Sequence, residues 1–151
     1  QLRGIAVNDG KLYASGRGRP PVPGTYHTLL ASYTLDGNLD PGFGAAGLVS
    51  SGYLLEDNGA ALAIQTDGKI VVAAQADTGT VIGGIPVFDV IAFRFETDGD
   101  SDTTFDGDGM SVFAGIAIGS GARTVALDDS GNIFVAGSSA SGQGVVVKYN
   151  P

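Results

Sequence analysis

Residues Ala61 to Ala74 read ALAIQTDGKIVVAA, which is two short apolar runs on either side of an Asp-Gly-Lys turn. Runs of this kind predict a β-hairpin, because glycine adopts positive φ angles in tight turns without steric cost. The same arrangement surrounds Asp9-Gly10-Lys11 and Ser130-Gly131-Asn132, and the three central glycines are 58 and 63 residues apart. The chain therefore contains an internal sequence repeat.

A second landmark recurs with a constant offset of 62 residues. Residues 32–43 (SYTLDGNLDPGF) align with residues 94–105 (RFETDGDSDTTF), and a third copy breaks off at Lys148 to Pro151. Short β-branched and aromatic runs between Gly, Asp, Asn and Ser turns are typical of all-β proteins. The pattern predicts strands near 3–7, 11–15, 28–34 and 47–51, near 60–65, 69–76, 88–96 and 109–114, and near 122–127, 132–138 and 144–149.

A four-stranded unit that recurs about every 60 residues is typical of a β-propeller blade. The sequence predicts a single repeat array of about three four-stranded antiparallel blades, the last one incomplete, with units 1–52, 53–115 and 116–151. Near-continuous apolar runs fit sheets that neighbouring blades bury on both faces. Three blades leave an apolar face bare at each end, so the expected partners are further blades of a longer parent chain or copies of the chain itself. A start at Gln1 and a finish at Pro151 favour a segment of a larger propeller.

The units resemble the delta-60 repeat of bacterial surface and secreted proteins. That family shows the pattern A-x-A-x-Q-x-D-G-K-I-x-V-A-G, which residues 61–74 match closely. An aromatic strand ending in Y-N-x-D-G-x-x-D-x-x-F-G follows, and residues 36–44 and 98–107 resemble its D-G-x-x-D-x-x-F-G part. Two loops, at 17–26 and 77–86, are longer than the pattern. The resemblance implies a propeller-like fold, an extracellular or cell-surface location in bacteria, and a structural role.

Composition excludes several classes of protein. The chain has 151 residues and no cysteine, so it forms no disulfide and no Cys-ligated metal centre. Its net charge of −8 argues against a nucleic-acid partner. It contains no run of 18 apolar residues, so no transmembrane helix is predicted.

The acidic stretch from Glu96 to Asp108 is the strongest candidate for a site. Carboxylates at alternate positions suit Ca²⁺, which binds six to eight oxygen ligands in flexible loops. Thr103 and Gly109, however, stand where an EF-hand loop has its glycine and its final glutamate. The competing interpretation is turn architecture, in which Asp and Asn side chains accept hydrogen bonds from nearby backbone amides. The candidate Ca²⁺ ligands are Asp98, Asp100, Asp102, Asp106 and Asp108.

Other candidates are weaker. His27, the single histidine, is predicted at a strand edge or on the surface, and residues 42–47 match G-x-G-x-x-G without the strand-before and helix-after context of a dinucleotide site. The Pro-rich loop at 17–23 is a candidate recognition loop. Aromatic residues are predicted in the blade core on strands (Tyr13, Tyr33, Phe95, Phe134 and Tyr149) and at the blade base after the Asp-Gly turns (Phe43 and Phe105).

The sequence thus predicts a non-enzymatic structural or interaction module that presents loops to a protein or glycan, with no catalytic residue and no cofactor other than the Ca²⁺ considered above. One alternative is a Ca²⁺-dependent carbohydrate-binding module that uses the 98–108 loop. A second is a glycoside hydrolase with paired Asp residues.

Overall fold

The computed structural model describes residues 1–19, 26–53, 56–118, 121–139 and 143–151, with the backbone alone for 115–118. These residues form three antiparallel sheets, and the all-β prediction is confirmed. No described segment is a helix long and apolar enough to cross a bilayer.

Each sheet is a simple up-and-down meander in chain order. Sheet 1 contains β1 (Leu2–Asn8), β2 (Lys11–Gly18), β3 (His27–Thr34) and β4 (Leu48–Ser50). Sheet 2 contains β5 (Asp57–Ile64), β6 (Ile70–Ile82), β7 (Ile85–Phe95) and β8 (Met110–Ile118). Sheet 3 contains β9 (Gly121–Leu127), β10 (Ile133–Ser138) and β11 (Gly144–Tyr149). The expected unit boundary after residue 115 falls inside β8.

The predicted long loop at 77–86 is wrong, because most of these residues extend a hairpin. β6 and β7 continue to a two-residue turn at Gly83-Gly84, where φ is 59° and 84°. Positive φ at both central positions defines the type I′ turn, which matches the twist of the paired strands. Ile82 pairs with Ile85 beside it. Of the other long loop, residues 20–25 lie outside the described part of the chain.

Sheet 2 lies between sheets 1 and 3, and its apolar run Ile70 to Ala74 is fully buried, with 0% exposure. Because side chains alternate across a strand, Ile70, Val72 and Ala74 pack toward sheet 1, whereas Val71 and Ala73 pack toward sheet 3. Two separate apolar layers result. The prediction that an uninterrupted apolar run marks a sheet covered on both faces is confirmed for sheet 2.

The sheets approach each other closely at their first strands, β1, β5 and β9. A Cβ atom on Gly59 of β5 would lie 2.7 Å from the Gly16 carbonyl oxygen of sheet 1. Hydrogen bonds also cross between the sheets: Gly44 N donates to Asp98 O at 2.7 Å, and the Tyr149 hydroxyl donates to Val90 O at 3.2 Å. Small residues and direct hydrogen bonds thus hold the sheets together.

Phe43 and Phe105 are buried as expected. Phe43 packs edge-on against Tyr13 in the layer between sheets 1 and 2, and Phe105 packs against Tyr149 between sheets 2 and 3. Phe95 is also buried. Tyr33 and Phe134, predicted to be core residues, are only half-buried.

Candidate interaction surfaces

The predicted Ca²⁺ loop is the β7–β8 connection. The Asp98 carboxylate accepts a hydrogen bond from Asp100 N at 3.1 Å, and that of Asp108 accepts one from Met110 N at 2.9 Å. Asp106 adopts a left-handed backbone with φ of 54°. These contacts are Asx turns, in which an aspartate side chain replaces a backbone acceptor.

Asp102 differs from the other four acids because its side chain is only 1% exposed. Its Oδ2 atom accepts hydrogen bonds from Arg94 Nε at 2.6 Å and Lys69 Nζ at 2.8 Å. Its Oδ1 atom accepts from the backbone and hydroxyl of Thr104 at 3.0 and 2.6 Å. Burial raises the pKa of Asp102, but the hydrogen bonds from Lys69, Thr104 and Arg94 outweigh burial and hold that pKa far below its ordinary value.

The Asp102 carboxylate therefore has a structural role, as the acceptor that joins Lys69, Arg94 and Thr104. Two cations already neutralise it, so little of its capacity remains for a metal ion. Among the residues that the structure describes, no three His, Cys, Asp or Glu side chains are grouped to hold a metal. The Ca²⁺ hypothesis and the alternative that depends on it stay predictions, without support from this geometry.

Asp40 occupies the matching position in sheet 1. Its Oδ2 atom forms an ion pair with Lys11 Nζ at 2.7 Å, and its Oδ1 atom accepts a hydrogen bond from Gly42 N at 3.0 Å. The hydrogen bond from Lys11 is the main cause that lowers the pKa of Asp40. The lysine of each Asp-Gly-Lys turn thus forms an ion pair with the loop that follows the third strand of its sheet. The paired residues, Lys11 with Asp40 and Lys69 with Asp102, are 29 and 33 residues apart, so the recurrence of both motifs could have revealed the contact.

His27 is buried, so the prediction of a surface position is wrong, although it does begin β3. Its Nδ1 lies 3.0 Å from Asp57 Oδ2, on the first residue of β5. Asp57 also accepts from Thr28 N at 2.7 Å and from the Ser51 hydroxyl at 2.8 Å. Ser51 donates to the carboxylate instead of to the imidazole, so these groups do not form the Ser–His–Asp relay of a hydrolase. These hydrogen bonds join sheet 1 to sheet 2, and no short sequence motif predicts them.

The Gly-rich segment 42–47 is part of the β3–β4 loop. It holds buried Phe43, and Gly44 and Gly47 have φ of 49° and 96°. It leads into β4, so it lacks the helix of a dinucleotide site.

One end of the molecule carries most of its negative charge. The β1–β2, β5–β6 and β9–β10 turns and the β3–β4 and β7–β8 loops lie at this end, which we call the turn end. Arg3, Arg17, Arg19 and Arg123 lie toward the opposite end, where Arg17 and Arg19 stack over Tyr26. The turn end holds twelve of the sixteen acidic residues: Asp9, Asp36, Asp40, Asp67, Glu96, Asp98, Asp100, Asp102, Asp106, Asp108, Asp128 and Asp129.

A cleft of about 470 Å³ opens at the turn end between sheets 1 and 2. Asp9, Asp67 and Asp98 line it together with Lys11 and Tyr13. The lining of the cleft is polar and includes three carboxylates and one ammonium group. The paired-carboxylate hydrolase stays a prediction.

The sheets carry matching rows of paired residues on their two faces. In sheet 2, the front face is the one that packs on sheet 1, and the back face is the one that packs on sheet 3. The faces of sheets 1 and 3 that carry the equivalent residues have the same names. The front-face rows are Val7–Leu12–Tyr33, Ile64–Ile70–Phe95 and Leu127–Ile133–Tyr149. The back-face rows are Ala6–Tyr13–Ser32, Ala63–Val71–Arg94 and Ala126–Phe134–Lys148.

Four of these six faces pack against each other inside the chain. The front faces of sheets 2 and 3 and the back faces of sheets 1 and 2 form the two apolar layers. No other described sheet packs on the front face of sheet 1, where Ile5 and Val7 are exposed to 68% and 64%. Within the described part of the chain, no sheet covers the back face of sheet 3, and Val146 on it is exposed to 68%. This explains why Tyr33 and Phe134 are not core residues.

The extended β6–β7 hairpin presents a second apolar feature at the end opposite the turns. Val81, Ile82 and Ile85 near its tip are exposed.

No protein-family model and no curated protein matches this sequence.

Proposed function

We propose that this chain is a non-enzymatic structural and interaction module built from propeller-type blades. The observation that carries the proposal is the burial of sheet 2 on both faces by sheets of the same row pattern. A sheet that must be covered on both faces is an element of a stack, and stacks of four-stranded antiparallel sheets are the construction of propellers. The delta-60 resemblance supports the same architecture, and it is the basis for proposing an extracellular or cell-surface location in bacteria.

Contact, instead of bond breaking, is the role that the polar groups favour. The buried histidine and its carboxylate partner join two sheets, and the buried Asp102 holds a loop against Lys69 and Arg94. A histidine and buried carboxylates are among the groups that enzymes use for proton transfer. Their engagement in structural hydrogen bonds supports a scaffold.

The turn end is the surface that such a scaffold would present. Its loops project from rigid strands, and its acidic character favours a protein or glycan ligand with positive or neutral groups over a polyanion. The outer faces of sheets 1 and 3, which no other described sheet covers, would provide the lateral contacts, through further blades or copies of the chain.

The experiment compares the wild-type chain with an Ile5→Glu/Val7→Glu variant. If the chain is a stacking module, its uncovered faces bind a hydrophobic dye or associate, and the charged variant loses part of that signal while keeping the far-ultraviolet circular dichroism of the wild type. A matched control, Leu35→Glu, changes an exposed leucine in a loop instead. The proposal would be refuted by a wild-type chain that is monomeric and binds no dye, with the two variants giving equal dye-binding and association signals.

A further inference from the structure

We propose that the turn-end cleft between sheets 1 and 2 binds a small organic cation through its primary ammonium group, with the Tyr13 hydroxyl and three carboxylates as acceptors. This inference rests on the proposed interaction role and names a ligand class for it. Residues of sheets 1 and 2 and of their connections line the cleft, so the site is independent of whatever contacts the outer faces.

The first argument is an excess of negative charge in the cleft. Asp9, Asp67 and Asp98 are exposed on its lining, and no described cation forms an ion pair with any of them. Lys11 is the single cation among the described lining residues, and its Nζ lies 2.7 Å from the Asp40 carboxylate, which neutralises it. Three carboxylate charges therefore stay uncompensated, and they favour a cationic ligand.

A buried tyrosine hydroxyl is the second and independent observation. Tyr13 lines the cleft although it is only 3% exposed, and no hydrogen bond joins its hydroxyl to another described residue. Burial is the main cause that raises the pKa of Tyr13, and the charges of Lys11 and Asp9 also act on its hydroxyl. Because both of these residues line the cleft, the hydroxyl is the end of the side chain that reaches it. Buried tyrosine hydroxyls usually have a hydrogen-bond partner, and this oxygen is placed to accept one from a ligand.

The equivalent cleft between sheets 2 and 3 shows that the repeat does not require this hydroxyl. Its volume is about 430 Å³, and its lining also carries acidic turn residues, Asp67, Asp128 and Asp129. No tyrosine occurs among its described lining residues, because the fully buried Val71 takes the place of Tyr13 in the back-face row of sheet 2. The hydroxyl is therefore a property of the first cleft and not of the blade pattern.

The lining favours an ammonium group over a metal ion or a stacked sugar. No three acidic side chains in the described part of the chain are grouped to hold a metal. The Tyr13 ring is buried edge-on against Phe43, so it offers no face on which a sugar ring could stack. An ammonium group donates three hydrogen bonds in different directions, which suits separate carboxylate and hydroxyl acceptors. A free diamine and a lysine side chain both present this group.

Direct contacts between the two sheets hold the acceptors in place. Gly44 N of sheet 1 donates to Asp98 O at 2.7 Å, so a residue that carries one of the carboxylates is attached to the opposite wall. The Oδ1 atoms of Asp67 and Asp98 each accept a hydrogen bond at 3.1 Å from the backbone amide two residues further on. No described residue donates to their Oδ2 atoms, which stay available to a ligand. Acceptors fixed in this way lower the entropic cost of binding.

The test titrates putrescine, Nα-acetyl-lysine methylamide and glucose into the folded chain by calorimetry at pH 7. We expect a dissociation constant on the order of 1 mM for an ammonium probe, as is usual for a ligand of so few atoms, and no binding of glucose. Raising the NaCl concentration from about 20 to about 200 mM should weaken the binding at least threefold, roughly, because salt screens exposed carboxylates. Binding of putrescine alone assigns the site to free diamines, and binding of the lysine derivative assigns it to a lysine side chain.

Two variants change the acceptors inside the cleft. Tyr13→Phe should weaken the binding about fivefold or more, since it removes a hydrogen bond to a charged group. It should leave Tm unchanged, because the ring keeps its contact with Phe43 and the hydroxyl has no described partner to lose. Asp9→Asn/Asp98→Asn removes two charges with little change of shape and should weaken the binding about tenfold.

Matched controls make the same chemical changes outside the cleft. Tyr33→Phe removes a hydroxyl from the other face of sheet 1, and Asp36→Asn/Asp106→Asn removes two exposed turn-end charges; both should bind like the wild type. The inference is overturned if no ammonium probe binds below about 20 mM, if the control pair weakens binding as much as the cleft pair, or if Tyr13→Phe binds like the wild type. Each of these results leaves the stacking role standing, because dye binding and association test that role separately.

Discussion

Replacing Asp102 by Asn tests the idea that this carboxylate is a structural counter-ion. The change is nearly isosteric, and the side-chain oxygen can still accept from Thr104. It leaves Arg94 and Lys69, both within 2.8 Å of Oδ2, without their anion. Removing one partner of a buried ion pair costs about 3–5 kcal/mol.

The expected loss is near the lower end of that range. The Lys69 side chain is 21% exposed and lies 3.2 Å from the Glu96 carboxylate, so it can turn toward that partner or toward water. Arg94 is more deeply buried and keeps its contact with the Phe105 ring. We expect the free energy of unfolding to fall by about 3 kcal/mol, which lowers Tm by roughly 6 to 12 °C for a chain of this size.

Asp40→Asn is the matched control. It changes the equivalent turn residue in sheet 1, where Lys11 is 40% exposed and Ser32 takes the place of Arg94. Urea unfolding followed by circular dichroism should show a clearly smaller loss for Asp40→Asn. Equal losses, or a loss below about 1 kcal/mol for Asp102→Asn, would refute the reasoning because the buried pair would then carry no special weight.

The pH dependence has a definite sign. The pKa of Asp102 is lower in the folded than in the unfolded protein, where it is about 3.9. The unfolded state therefore binds more protons, so the contribution of Asp102 is complete above about pH 4 and declines as the pH falls toward the folded-state pKa. The difference in unfolding free energy between wild type and Asp102→Asn should shrink in the same interval.

The remaining predictions concern the core, the sheet junctions and the acidic loop. Ile70→Ala should lose about 3 kcal/mol in urea unfolding because Ile70 is fully buried, whereas Ile82→Ala at the exposed hairpin tip should change stability by less than about 0.5 kcal/mol. Asp57→Ala should lower the free energy of unfolding by about 2 kcal/mol or more, because it leaves the Thr28 amide and the Ser51 hydroxyl without their acceptor. A decrease as small as that of Ile82→Ala would contradict this. Burial raises the pKa of Tyr149, so stability should decline above about pH 10, and Tyr149→Phe should weaken that decline in alkaline unfolding curves. Adding Ca²⁺ should leave Tm unchanged, and a rise that disappears on replacing acids of the 96–108 loop would instead support the calcium alternative.

Local patterns predicted much of this architecture because they act over a few residues. The Asp-Gly turns and the short apolar runs placed most strands within a few positions, since a tight turn fixes the pairing beside it. The hairpin at 77–86 was missed because its Gly83-Gly84 turn lies inside a Thr- and Gly-rich stretch that also suits a loop. The turn role of the acidic residues was one of two open interpretations, and the Asx-turn contacts of Asp98 and Asp108 agree with it.

The amino-acid sequence by itself determined that the chain is all-β, where its turns lie, and that Phe43 and Phe105 are buried. Only the tertiary structure decided which apolar rows are covered and which acids are neutralised. His27 meets Asp57, and Asp102 meets Lys69, across 30 and 33 residues of chain. The physical reason is that turn geometry depends on the backbone of neighbouring residues. Burial and charge neutralisation depend instead on contacts between segments far apart in the chain, which form only when the sheets pack and hydrogen-bond together.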